Sequence, residues 1–158
     1  MKRLFDLERE VGVVTGALGK LGPIWVETLL EAGARVLALD RPGQPASPEF
    51  KRVQARFGPE QLALTFADAS IRSALEAGLA HCVKSFGTPT ILVNNAGIDA
   101  PPAAGGKGYR LEEIPLDVNL RILEVNAAGL FLVSQVFGAA MASSASNRAG
   151  RSSSTGFS

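Results

Sequence analysis

Residues 11–22 read VGVVTGALGKLG, a β-branched run that ends in a turn with glycines at Gly16, Gly19 and Gly22. Val11–Thr15 predicts a short strand, broken by Gly16. Lys20–Ala32 then predicts a helix with Leu21, Ile24, Trp25, Thr28 and Leu29 on its inner face and Trp25 as a core anchor. Gly33 ends that helix. Two physical needs put glycine in such a turn. The backbone must adopt angles that a Cβ forbids, and a pyrophosphate can lie close only where no Cβ intervenes. The helix that follows aims its unpaired N–H groups and positive dipole end at the same point. A tight turn with no ligand satisfies the first need alone, so the context on either side has to decide.

Downstream, Arg35–Leu39 (RVLAL) predicts a second strand that stops at Asp40, 18 residues beyond Gly22. An acid about 20 residues past the glycines is the dinucleotide fingerprint, in which the carboxylate bonds the adenosine ribose hydroxyls. A carboxylate there also repels a 2′-phosphate, so Asp40 predicts NAD rather than NADP, although the adjacent Arg41 offers a guanidinium to a phosphate. Residues 41–48, RPGQPASP, form a loop, and a short helix follows to about Phe57 before Gly58 and Pro59. Leu62–Phe66 predicts a third strand. Ser70 is the expected cap of a helix reaching about Phe86, with Ile71, Ala74, Leu75, Gly78, Leu79 and Cys82 buried. Thr90–Val93 predicts a fourth strand covered on both faces. Residues 98–116, with Pro101, Pro102, Gly105, Gly106, Gly108 and Pro115, make an irregular crossover. Helical periodicity returns from Asp117 to Met141 through Ile122, Val125, Leu130, Val133 and Phe137. Strands alternating with helices imply an α/β fold with a parallel sheet of the Rossmann type, in order 3-2-1-4 and doubly wound.

The fourth strand runs into ILVNNAG, Ile91 to Gly97. With the glycine turn and Asp40 before it, this sequence resembles the short-chain dehydrogenase/reductase family. The resemblance implies a dinucleotide cofactor, contacted by Gly16, Gly19, Leu21 and Gly22 around the phosphates and by Asn95, Ala96 and Gly97 at the end of the fourth strand. It also implies that Asp68, in FADAS, lies beside the adenine, and that Asn126, in LEVNAAGLFLVSQ, helps hold a proton-relay water. The implied activity is hydride transfer between nicotinamide and a small alcohol or ketone.

Two features depart from the family pattern. Lys20 stands where the shorter branch of the family carries its middle glycine, and the observed spacing occurs in the extended branch of sugar-nucleotide epimerases and dehydratases. NNAG favours the shorter branch. Family chemistry also uses a Tyr and a Lys four residues later, with a Ser that orients the substrate. A phenol near pKa 10 needs a neighbouring cation to act as a base. Tyr109 is the only tyrosine, and four residues on stands Glu113. The Ser/Tyr/Lys half is therefore missing from these 158 residues, which predicts little activity for this chain alone and leaves a noncatalytic NAD-binding remnant or pseudoenzyme as the rival reading.

Composition narrows the partners. Sixteen basic residues against fifteen acidic give +1, which leaves no broad field to recruit nucleic acid or an anionic membrane. One cysteine (Cys82) and one histidine (His81) predict no disulfide, no metal site and simple packing roles. MKRLFDLERE lacks a hydrophobic stretch, and no unbroken run of about 20 apolar residues occurs, so neither leader nor span is expected and a cytoplasmic location follows. After Met141 the composition shifts: residues 142–158 hold seven serines and no Val, Ile or Leu. The expected organisation is a dinucleotide-binding region at 1–141, truncated after the fourth strand and its following helix, and a disordered tail at 142–158, as a shifted reading frame would produce. Ser152–Ser154 fall about where the family's catalytic serine would stand, and the family's homo-oligomer interface would be incomplete.

Overall fold

The computed structural model describes residues 6–99 and 109–153, with side chains as far as residue 145. The elements are β1 (Val11–Thr15), α1 (Gly22–Glu31), β2 (Arg35–Asp40), α2 (Pro48–Arg56), β3 (Leu62–Phe66), α3 (Arg72–Ser85), β4 (Ile91–Val93), α4 (Leu116–Leu123) and α5 (Leu130–Ser153). A 3-10 turn at Leu111–Glu113 precedes α4, and a π-helical turn at Glu124–Gly129 joins α4 to α5. The four strands form one parallel sheet in the order β3-β2-β1-β4, with Val13 opposite Leu37 on one side and Leu92 on the other. The expected architecture and strand order are both present.

Side chains alternate across the sheet, so each strand feeds two cores. Val13, Leu37 and Leu39 pack with Leu75 and Cys82 of α3 and with Val133 and Phe137 of α5. Val14, Val36 and Ala38 pack with Val26 and Leu30 of α1 and with Phe50 and Val53 of α2. β1 and β2 are central and buried throughout, apart from half-buried Arg35, which is why they read as unbroken apolar runs. β4 is only half-buried, against the expectation of full cover. It pairs with β1 alone among the described residues, so its outer side lacks a neighbour.

The inner face of α1 differs from the sequence expectation. Leu21, Ile24 and Trp25 are 59%, 58% and 46% exposed, while Gly22, Pro23, Val26 and Leu30 are buried. Apolar residues occupy two stripes of this helix, and periodicity alone cannot choose between them. Contact at the helix start chooses: a Cβ on Gly22 would overlap the carbonyl oxygens of Gly16 and Ala17. Gly22 thus sits directly on the turn, which turns Val26 and Leu30 inward and leaves Trp25 outside. Leu29 lies over Gly12, where a Cβ would approach its Cδ1 to 2.9 Å.

Ser70 is not the cap of α3. The helix starts at Arg72, Ile71 is 49% exposed, and both the N–H and the hydroxyl of Ser70 donate to Asp68. In the crossover, Pro101, Pro102, Gly105, Gly106 and Gly108 lie outside the described residues. The helix after it begins at Leu116, one residue before the expected start, and Leu130 is 44% exposed although the pattern placed it inside. The π turn shifts the helical phase between Val125 and Val133 and accounts for that difference.

The change of composition at Met141 does not mark a backbone boundary: α5 continues through the serine-rich segment to Ser153. Alanine favours helix and serine tolerates it, so Ala142 to Ala145 extend a helix already nucleated. Ser154 and Phe157 lie outside the described residues. The stretch 116–145 is also long and apolar enough, by length and composition only, to cross a membrane, which a search for unbroken apolar runs misses. In this fold its Val133, Val136 and Phe137 are core residues.

Candidate functional site

The carboxyl ends of the parallel strands open onto a cavity of about 470 Å³. Its floor is the turn between β1 and α1. Gly16 has φ +63°, and a Cβ there would stand 2.8 Å from the Ala96 Cα, so only glycine lets the ends of β1 and β4 come together. Gly16, Gly19 and Leu21 line the cavity, and Gly22 holds the start of α1 against the turn. The first-turn N–H groups of a helix have no intrahelical acceptor and face any anion placed there.

Thr15 ties β1 to the residues after β4. Its buried Oγ1 accepts from the Asn95 N–H at 3.1 Å and from the Ala96 N–H at 3.0 Å, and donates to the Val93 carbonyl at 3.4 Å. The Asn95 Nδ2 returns two bonds, to the Thr15 and Gly16 carbonyls, both at 3.1 Å. The chemistry of NNAG is therefore structural first: the asparagine amide staples the glycine turn to β4. Asn94 anchors the same segment to α5, donating from Nδ2 to the Ser134 Oγ at 2.9 Å. Asn95, Ala96 and Gly97 line the cavity.

Asp40 ends β2 and is 8% exposed. Its Oδ2 accepts the Leu18 N–H at 2.7 Å and its Oδ1 accepts the Arg41 N–H at 2.8 Å, so the turn itself orients the carboxylate. Each oxygen keeps a further lone pair for a hydroxyl ligand. Arg41 reaches Gln44 Oε1 through Nε at 3.4 Å and Nη2 at 3.3 Å, beside Asp40 on the cavity wall. Asp68 follows β3. The Ser70 hydroxyl (2.7 Å) and N–H (2.9 Å) both donate to its Oδ1. The Ser70 hydroxyl bond, then the Ser70 backbone bond, hold this carboxyl below its ordinary range, and Arg121 and Arg41 add to the effect.

Asn126 lies in the π turn. Its Oδ1 accepts the Ile98 N–H at 2.8 Å and its Nδ2 donates to the Ile98 carbonyl at 2.9 Å. A Cβ on Gly97 would come to 3.4 Å from the same Oδ1. The structure thus gathers Gly16, Gly19, Leu21, Asp40, Asp68, Asn95, Ala96 and Gly97 around one cavity, with Gly22 beneath its floor and Asn126 fixing its rim.

Sequence reading missed Thr15 and Arg121. A threonine closing an apolar strand is a weak signal for the first. A charged residue on an amphipathic helix is ordinarily solvated, so nothing marked the second. Tyr109 lies before the 3-10 turn and does not line the cavity, and Glu113 Oε2 accepts the Arg110 N–H at 3.3 Å. Cys82 is buried in α3, and burial pushes its thiol up to about 11, which leaves it unreactive. His81 is exposed on α3. Among the described residues no cluster of His, Cys, Asp or Glu could hold a metal.

The groups present fit a dinucleotide: a glycine turn with no room for a Cβ at Gly16 or Gly22, a helix N-terminus beside it, and carboxylates at the end of β2 and just after β3. The chain matches the short chain dehydrogenase family over residues 10–154. It is 34% identical over 140 residues to a galactitol 2-dehydrogenase of Rhizobium johnstonii, covering 88% of this chain and 51% of that protein. It is 28% identical to an NAD-dependent glycerol dehydrogenase of Listeria innocua, covering 87% and 49%. Among solved structures, an NADPH-bound short chain oxidoreductase of Pseudomonas aeruginosa with an atypical catalytic center superposes with a TM-score of 0.74 at 27% identity, covering 88% of this chain and 51% of that one. A 3-ketoacyl-(acyl-carrier-protein) reductase of Brucella melitensis complexed with NADH gives 0.68 at 28% identity, covering 82% and 49%. The chain spans about half the length of the curated relatives it matches. Relatives hold either form of the cofactor, and this chain belongs to the short chain dehydrogenase family of NAD(P)-dependent oxidoreductases.

Proposed function

We propose that this chain supplies the NAD(H)-binding half of an oxidoreductase acting on a small alcohol or ketone. The observation that carries the choice of NAD is Asp40. Its carboxylate is nearly buried, oriented by two backbone N–H groups, and placed at the cavity wall where the fingerprint puts the adenosine ribose. A carboxylate there accepts from ribose hydroxyls and repels a 2′-phosphate. Gly16, Gly19, Leu21 and Gly22 would hold the pyrophosphate, Asp68 the adenine, and Asn95 to Gly97 the ribose nearer the nicotinamide. The cofactor supplies a hydride at C4 of nicotinamide. Asn126 would order the segment around Ile98 at the nicotinamide end.

The test is calorimetric titration of the 158-residue chain with NAD and NADP, with Asp40→Ala alongside. Tighter binding of NAD, with the preference reduced in Asp40→Ala, supports the reading. Equal or tighter binding of NADP by the unsubstituted chain overturns it.

Tyr109 favours a second reading, in which the chain binds the dinucleotide without catalysing turnover. The only phenol has a carboxylate four residues on, at Glu113, in place of a cation that would stabilise a phenolate. Secondary alcohols offered with NAD test the second reading through the absorbance of NADH, because turnover by these 158 residues would overturn it. The second expects no signal above a heat-killed blank.

A further inference from the structure

Three cations line the cavity, and two of them are held by neighbours: Arg41 by Gln44 and Arg121 by Glu124. Lys20 has neither a hydrogen bond nor an ion pair to its side chain among the described residues, and it stands where the shorter branch of the family carries a glycine. The chain itself sets its place. The Gly19 N–H closes the turn on the Gly16 carbonyl at 3.2 Å, Lys20 follows at once, and Leu21 then precedes α1 without a side-chain cap bond. The start of α1 is short of donors. A helix ordinarily leaves its first four N–H groups free. Here Pro23 has none, and the Ile24 N–H donates to the Leu21 carbonyl at 3.1 Å. Only the N–H groups of Leu21 and Gly22 are then left for a ligand, and no acid stands in the first turn to draw the lysine away.

A pyrophosphate carries a negative charge on each phosphorus, and a helix start with few free N–H groups satisfies it poorly. A free ammonium two residues before that helix supplies charge where donors are missing. Lysine is a compact point charge on a flexible four-carbon stem, so it needs an anion within reach and no fixed orientation. We propose that the Lys20 ammonium pairs with the pyrophosphate of the bound dinucleotide and offsets the donors lost at Pro23 and Ile24. The inference rests on the dinucleotide reading and adds to it a binding residue that the family pattern does not carry at this position. Affinity for the dinucleotide in this chain then depends on a side-chain charge as well as on backbone N–H groups, and it weakens more steeply with salt than backbone donors alone would make it.

The experiment titrates the 158-residue chain and its Lys20→Gln and Lys20→Arg variants with NAD and with ADP-ribose, over a series of potassium chloride concentrations. Lys20 is exposed, so both variants should fold, and circular dichroism checks this. Lys20→Gln should lose roughly three- to thirty-fold in affinity at low salt, between the worth of an exposed ion pair and that of a hydrogen bond to a charged group. The loss should be equal for NAD and ADP-ribose, which share the pyrophosphate, and it should shrink as salt rises. Lys20→Arg should keep both the affinity and the salt dependence of the unsubstituted chain. A loss in Lys20→Arg as large as in Lys20→Gln, or one that salt does not change, overturns the charge role and makes the lysine a structural residue of the turn. A loss confined to NAD would put Lys20 at the nicotinamide end and overturn the pairing. Unchanged binding by Lys20→Gln overturns the inference and leaves the dinucleotide reading standing. Failure of the unsubstituted chain to bind either ligand overturns that reading, and this inference with it.

Discussion

Asn126 grips the peptide of Ile98 from both sides, accepting its N–H at 2.8 Å and donating to its carbonyl at 2.9 Å. A primary amide is the side chain able to do both at one backbone residue, and the π turn at Glu124–Gly129 places it where it can. The pair joins the helix that follows the crossover to the segment that leaves β4.

Asn126→Ala removes both bonds. The cost expected for two partly solvated hydrogen bonds is about 1–2 kcal/mol. Asn126→Asp keeps an acceptor but turns a carboxylate oxygen toward the Ile98 carbonyl, so it should destabilise at least as much. Urea midpoints of the three proteins measure this, and a midpoint unchanged in Asn126→Ala would remove the clamp from the account.

Gly16→Ala addresses the joint between β1 and β4. The position combines φ +63° with a Cβ site 2.8 Å from the Ala96 Cα, and the neighbour is backbone that cannot rotate away. A loss of about 1–3 kcal/mol is expected from the strained conformation alone, together with loss of dinucleotide affinity as the turn lifts from β4. Denaturation and calorimetry on the same preparation report the two effects. Wild-type values for both would show that the close approach is not needed.

Much of this joint is legible in the sequence. A β-branched run broken by glycine, an acid at the end of the next strand and an amide pair at the end of the fourth each have a local physical reason to occur. β3 matches its expected bounds, Leu62–Phe66. What could not be read are choices made by contact. Trp25 and Val26 are adjacent and apolar, and only the seating of Gly22 on the turn decides which one faces the core. The bonds from Ser70 to Asp68 compete with helix capping, and a serine before a helix does not announce which it will make. Thr15 and Arg121 act across 78 to 81 residues or across a cleft, beyond the reach of any local pattern.

The Ser70–Asp68 pair predicts a pH dependence. Asp68 has a folded pKa below its unfolded value, chiefly through the Ser70 hydroxyl. Its contribution to stability is therefore present above an unfolded carboxylate pKa of about 3.9 and fades as pH falls from there through the folded value. Ser70→Ala removes the largest cause. Relative to the unsubstituted chain it should be less stable at about pH 7, with the gap narrowing toward about pH 3. A gap that stays constant across urea midpoints taken over that range would assign the role of Ser70 to something other than the carboxylate.

The central claim is that a dinucleotide lies over the carboxyl ends of the strands, against the glycine turn. An amide chemical-shift titration of the isotope-labelled chain with NAD reads this residue by residue. Saturable shifts at Gly16, Gly19, Leu21, Arg41, Asp68 and Gly97 are predicted, with the amides of α2 and of Val83 and Lys84 on α3 unmoved. Saturable shifts centred on the exposed face of α1 around Trp25, or none at NAD concentrations that saturate a related dehydrogenase, would contradict the account.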